Sequence, residues 1–363
     1  MDLNQRCDAE CWATVRAEST FDRWGNDIAV IVAKMAYAVS PTGKATVDFR
    51  PIRWSDVPDD HGGVKYPGDL CDDKPGTDVG LIGTAHPPKG KGATSFFVTL
   101  SVSNDNSVIF KRVVQVFGKR TYVTDPKRGV APGVAAPAGP TPLVWGLSWG
   151  GRTESEDPTK FGEEPQNPIG RGFATDPTAL VGTAAHVLEP AADPGSPAVH
   201  PTLGCFAPVP PNHDPRRTLA GTYDGEWARK RAPVKPRDFD ARHNAWASPG
   251  LHAKKPLVGT ETFEITGVLP DGVWRFALPE YAPVFESRTL SGWQRHPTHL
   301  DGVLIDADAR IVELTWRVAI PLPKPWELLS RIRVSSEHTL PKDVLQPARK
   351  AGSSPTPEPL LSR

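Results

Sequence analysis

Proline and glycine set the tightest limit on what this chain folds into: 40 prolines and 32 glycines are spread through 363 residues that are still 38% hydrophobic. Proline removes a backbone donor and fixes φ, and glycine favours turns, so the sequence reads as many short elements around an ordered core rather than as long helices. The fold class that follows is all-β and mainly antiparallel. At this length the chain exceeds one ordinary compact domain, and two packed β-sandwich or barrel-like lobes joined by a long loop-rich segment are expected.

Lys+Arg and Asp+Glu balance at 42 each, so no net field draws the chain toward nucleic acid or an anionic membrane. The cysteines, Cys7, Cys11, Cys71 and Cys205, contain no CxxC and no second pair to complete a zinc site, and read as buried or incidental thiols. No run approaches the roughly eighteen apolar residues of a membrane span, and the start Met-Asp-Leu-Asn-Gln-Arg-Cys is too polar for a signal peptide. A cytoplasmic location, with no membrane partner, is expected.

The first clear strand is Asp27-Ile-Ala-Val-Ile-Val-Ala-Lys-Met-Ala-Tyr37, a β-branched run whose continuous apolar start suits a central strand. Further strands are predicted over 78–84, 95–103 and 108–117, the last two flanking the turn Asn104-Asp105-Asn106, and again over 261–266, 272–278, 302–305 and 310–317, the last two joined by Asp306-Ala-Asp-Ala309. The divisions are an N-terminal extension (1–26) with room for a short helix, a first β lobe (27–124), a Pro/Gly/Ala-rich loop (125–142), an aromatic loop-rich segment (143–250), a second β lobe (251–345) and a disordered tail (346–363).

No histidine or carboxylate spacing demands a reaction. His86, His186, His213, His243, His296 and His299 form no HExxH, and Cys205 carries no nucleophile signature. His296-Pro-Thr-His299 would clamp a metal only on a helix, which the proline opposes. Gly150-Gly-Arg152 and Gly170-Arg-Gly172 place arginines among glycines, where they either hold an anion or brace loops, and the brace is preferred because no strand-to-helix phosphate loop accompanies them. Asp72-Asp-Lys-Pro-Gly-Thr-Asp78 lacks calcium-loop spacing and reads as a turn.

Eight strings in order resemble one family: Tyr66-Pro-Gly-Asp-Leu70, Asp73-Lys-Pro-Gly-Thr-Asp78, Gly83-Thr-Ala-His-Pro-Pro88, Val116-Phe-Gly-Lys-Arg120, Ser148-Trp-Gly-Gly151, Asn167-Pro-Ile-Gly-Arg-Gly-Phe173, Gly221-Thr-Tyr-Asp-Gly-Glu-Trp227 and Asp238-Phe-Asp-Ala-Arg-His-Asn-Ala245. Across roughly 27–320 they resemble the domain-of-unknown-function family DUF twenty-one sixty-nine. Leu203-Gly-Cys-Phe-Ala-Pro208 departs from it, with cysteine where the family tends to read Gly-Phe-Gly-Pro, and a tryptophan usual shortly afterwards is missing near His213. The resemblance implies a type VI secretion adaptor or chaperone that binds an effector, or a PAAR or VgrG spike protein, with no catalytic centre and no cofactor. Because Trp, Tyr and Arg dominate interface hot spots, Arg171, Phe173, Tyr223, Trp227 and Trp246 are the expected partner-binding residues. The alternatives are a carbohydrate-active hydrolase with two carboxylates on separate strands, a carbohydrate-binding module and a structural part of the spike. The oligomeric state is left open.

Overall fold

A computed structural model describes residues 3–90, 92–105, 107–153, 161–191, 204–270, 272–325 and 328–336. The tail expected over 346–363 lies outside the described residues.

The largest sheet has seven strands in the order His252–Ala253, Thr77–Ile82, His299–Asp306, Ile311–Pro321, Asp27–Val39 and Thr14–Phe21, with Ala45–Asp48 pairing the second half of Asp27–Val39. Pairing is antiparallel except between Thr77–Ile82 and His299–Asp306. Strand side chains alternate between faces, so both faces of Asp27–Val39 can be followed from its sequence. Ala29, Ile31, Ala33, Met35 and Tyr37 join the main core, whereas Ile28, Val30 and Val32 pack with Ile52 and Leu70 on the other side. Burial on both faces explains why this segment is apolar without a break.

A five-stranded antiparallel sheet runs Leu188–Pro190, Ser107–Phe117, Ser95–Asn104, Thr262–Thr266 and Val273–Ala277. Its inward residues Phe96, Val98, Leu100, Val102, Phe263, Ile265 and Trp274 share one core cluster with Val79, Leu81, Leu314 and Trp316 of the seven-stranded sheet. A four-stranded sheet of Cys7–Glu10, Arg331–Ser336, Pro283–Thr289 and Gly292–His296 adds Phe285, Ile332 and Val334 to the same cluster.

The all-β class is as expected, but the strands do not divide by sequence into two lobes. Thr77–Ile82 lies between His252–Ala253 and His299–Asp306, and Ser95–Asn104 pairs with Thr262–Thr266. Each large sheet thus draws on both 27–124 and 251–345. The N-terminal extension holds one short 3-10 helix, Leu3–Arg6, in keeping with the room expected for a helix, and then forms the strands Cys7–Glu10 and Thr14–Phe21, which were not expected. Its hydroxyl and charged residues sit on an edge strand, where such side chains meet water.

Candidate functional site

The face of the seven-stranded sheet turned away from the main core carries charge. Lys34, Glu313 and Arg317 project from the sheet with Asp78, and the segment 50–76 covers them with Arg53, Asp69 and Lys74. Arg53 Nη1 and Nη2 bind the two Glu313 oxygens at 2.6 Å each, and Lys34 Nζ lies 3.4 Å from Glu313 Oε2 and also pairs with Asp69. Arg317 Nη1 sits 2.9 Å from Asp301 Oδ2, and its Nη2 donates to the Asp69 carbonyl. Tyr66 donates to Asp306 Oδ2 at 2.6 Å. Buried charges persist only when paired in this way, because desolvation otherwise costs several kcal/mol per ion.

Lys74 Nζ lies 2.9 Å from Asp78 Oδ2 and 4.7 Å from the centre of the Trp246 ring. The Asp78 carboxylate also accepts the Trp246 amide at 2.6 Å and lies 2.8 Å from His252 Nδ1. Burial alone raises the Asp78 carboxyl, but Lys74, His252 and the Trp246 amide hold it below the ordinary range. Glu313 follows the same pattern: burial raises it, and Arg53 with Lys34 more than offsets that. Both carboxylates are fixed in their ionised, paired form, which suits an anchor rather than a proton donor. Gly80 gives the Trp246 ring its seat, since a Cβ there would meet the ring at 2.7 Å.

These charges fasten the segment 204–250 to the sheet. Lys235 pairs with Asp72, Asn244 donates to the Asp73 carbonyl, and Arg216 Nε donates to the His243 carbonyl at 2.8 Å. Trp145 Nε1 donates to the carbonyls of Ala207 and Pro208 at 3.1 and 2.9 Å. On the outer side stands the short helix Gly225–Lys230, capped by Asp224, whose carboxylate accepts the Trp227 amide at 2.7 Å. Trp227 Nε1 donates to the Val234 carbonyl at 2.8 Å, and Tyr223 packs edge-on against its ring at 4.7 Å between centroids.

The turn 22–26 docks on this lobe through Arg231, which donates to the Arg23 carbonyl, and through Val234 beside Gly25. On the docked turn Trp24 is 73% exposed, and on the lobe Tyr223 is 53% exposed. Asp224 and Asp238 are turned to neighbouring amides, whereas Arg229 and Arg237 are exposed and form no ion pair among the described residues. Aromatic area beside free guanidinium groups is the composition of a protein-binding hot spot.

The five expected contact residues therefore separate. Tyr223 and Trp227 stand together on the outer surface. Trp246, expected there too, is 6% exposed and is a core residue between Lys74 and the sheet, a correction that follows from its amide and ring both being spent on Asp78 and Lys74. Arg171 belongs to another strand pair, Trp149–Gly150 with Arg171–Gly172, Phe173 follows it and donates its amide to the Gly150 carbonyl, and both are half-buried. That pairing also explains the Gly-Arg-Gly string, since a Cβ at Gly172, where φ is +114°, would meet the Tyr122 hydroxyl at 1.9 Å.

Asp72 and Asp78 are more than turn residues, because they hold Lys235, His252 and Trp246 from far along the chain. Trp24, Arg229 and Arg237, exposed on this side, were not among the expected contact residues. The available signal was Asp22-Arg-Trp-Gly-Asn26, a tight turn that puts a tryptophan at its tip. Among the described residues no group of three or more His, Cys, Asp or Glu is arranged to hold a metal, and His296 instead lies 2.8 Å from the Ser287 hydroxyl.

A family model described as an uncharacterized protein conserved in bacteria, DUF2169, matches residues 24–317, and the chain belongs to that family. No curated protein and no solved structure matches the chain.

Proposed function

We propose that this member of the DUF2169 family is an adaptor or chaperone of type VI secretion, which binds an effector or a PAAR or VgrG spike protein in the cytoplasm and assists its loading. The observation that carries the reading is the exposed Trp24 and Tyr223, the latter packed on the half-buried Trp227, on a lobe riveted to the sheet by Lys74, Asp78, Lys235 and Asp72. A rigidly mounted aromatic surface loses little conformational entropy on binding, so its buried area converts efficiently into affinity. Binding there covers an apolar segment of the partner and keeps it soluble until handover. Binding and handover of this kind need no cofactor.

Sugar recognition, the main alternative, is served less well by this surface. A carbohydrate-binding platform presents aromatic faces in one plane, whereas the Tyr223 and Trp227 rings meet at 70°. The test is to express the cognate effector in the native bacterium with and without this chain and to measure its soluble fraction and its secretion. Loss of both without the chain supports the reading, and an effector equally soluble and equally secreted in its absence refutes it.

A further inference from the structure

We propose that the exposed face and free edge of the four-stranded sheet form a second docking site, for an acidic, extended segment of a protein partner that adds as a fifth strand beside Gly292–His296. The site is separate from the Trp24–Tyr223 surface and does not depend on the adaptor reading. Two of its strands, Cys7–Glu10 and Arg331–Ser336, lie outside the span 24–317 that the family model matches.

Strand register defines the face. Arg331, Arg288 and Trp293 form one row across three strands, and Asp8, Arg333, Glu286 and Arg295 form the next across four. The buried residues Phe285, Ser287, Ile332 and Val334 point the other way, into the molecule. The Trp293 ring is 41% exposed and is flanked by two guanidinium groups, Arg333 at 4.4 Å and Arg288 at 5.9 Å from its centre. At the hairpin tip Leu290 is 85% exposed.

Two observations set this face apart from an ordinary solvated sheet. Gly292–His296 ends the strand order, so one side of its backbone pairs with no described strand. An edge of this kind is blunted by a charge on the edge strand itself, and Arg295 is enough for that. Arg288, however, lies on the inner strand directly opposite Arg331, and while Arg331 is paired with Asp8 at 2.8 Å and Arg333 with Glu286 at 2.6 Å, Arg288 forms no ion pair among the described residues. A carboxylate from outside supplies the partner that Arg288 lacks among the described residues, and Arg offers it a bidentate fork.

The pattern favours a peptide over a nucleic acid. Asp8 and Glu286 interrupt the arginines in the second row, which breaks a continuous phosphate track but leaves spaced positions for alternate side chains of a strand. The unpaired backbone of Gly292–His296 complements another backbone, the mode in which an added strand gains affinity from main-chain bonds and specificity from alternate side chains.

The experiment uses the full chain and a fluorescein-labelled peptide of four Glu-Val repeats, with a Lys-Val peptide and a short oligo-dT as comparators. Anisotropy is expected to rise saturably with the Glu-Val peptide, more weakly as salt increases. Binding is expected to fall about tenfold or more in Arg288→Glu and in Trp293→Ala, and to survive in Arg288→Lys, which separates charge from folding. Hydrogen exchange of the amides of 292–296 is expected to slow on peptide binding. No binding, equal binding by the charge-reversed variant, tighter binding of oligo-dT or of the Lys-Val peptide, or binding with unchanged exchange over 292–296 would each overturn the proposal.

Discussion

Lys74 and Asp78 form an ion pair with almost no solvent access, Nζ to Oδ2 2.9 Å, with side chains 2% and 0% exposed. The pair joins a loop to a sheet strand, and the Trp246 ring closes over the ammonium. Removing one member leaves the other charge buried, so Lys74→Met is expected to destabilise the chain by roughly 3–5 kcal/mol. The double variant Lys74→Met/Asp78→Asn should recover part of that loss. Urea unfolding of the two variants checks this, and a Lys74→Met midpoint equal to wild type would contradict the anchoring role.

His213 is fully buried against Trp145, with ring centroids 6.2 Å apart. Burial, reinforced by the Arg217 and Arg216 cations, lowers its pKa from 6.5 to about 4. Between those values the unfolded chain binds a proton that the folded chain does not. Stability is therefore complete above pH 6.5 and declines as pH falls toward 4, by at most about 1.4 kcal/mol per pH unit. The variant His213→Phe should flatten the denaturation midpoint against pH in that window. The carboxylates act lower: Glu189 is desolvated, yet His186 and Arg120 bring it from 4.5 down to about 2, so its contribution is complete above pH 4.5 and fades as pH falls from there toward 2.

How far the sequence led is clearest from particular strands. Asp27–Val39, Ser95–Asn104 and Ile311–Pro321 are β-branched or alternating and stand where expected, because burial of a strand leaves its period in the residues. Thr14–Phe21 and Gly292–His296 were not foreseen, since edge strands facing water carry Arg, Glu and Ser that resemble loops, and neither was Arg331–Ser336, an inner strand whose outward face carries arginines. The interleaving of both halves in each sheet depends on pairings such as Ser95–Asn104 with Thr262–Thr266, for which local composition holds no signal. Of the expected contact aromatics, Tyr223 is exposed and Trp227 half-buried. Trp246 was misplaced, because an aromatic in a loop-rich segment does not disclose which side of the loop is covered.

Trp24 and Tyr223 are exposed, so Trp24→Ala and Tyr223→Ala should each alter stability by no more than about 0.5 kcal/mol. If they anchor a partner, each should weaken its binding by about tenfold or more in calorimetry with the purified partner. Trp227→Ala should affect both quantities, because its indole also closes the loop onto Val234.

Burial pushes the thiols of Cys7 and Cys205 up to about 12 and raises Cys11 and Cys71 as well. Since the thiolate is the reactive form, native protein at pH 8 should react slowly with a disulfide reagent and release all four thiols only after unfolding. A fast native phase would show a thiol activated in a way this packing does not provide.

Affinity purification from the native bacterium, with the wild-type chain and the Trp24→Ala/Tyr223→Ala variant as parallel baits, tests the adaptor account most directly. The account predicts an effector or a PAAR protein in stoichiometric amount with wild type and its loss with the variant. A wild-type bait that returns no partner, or the same partner at the same level with both baits, would contradict it.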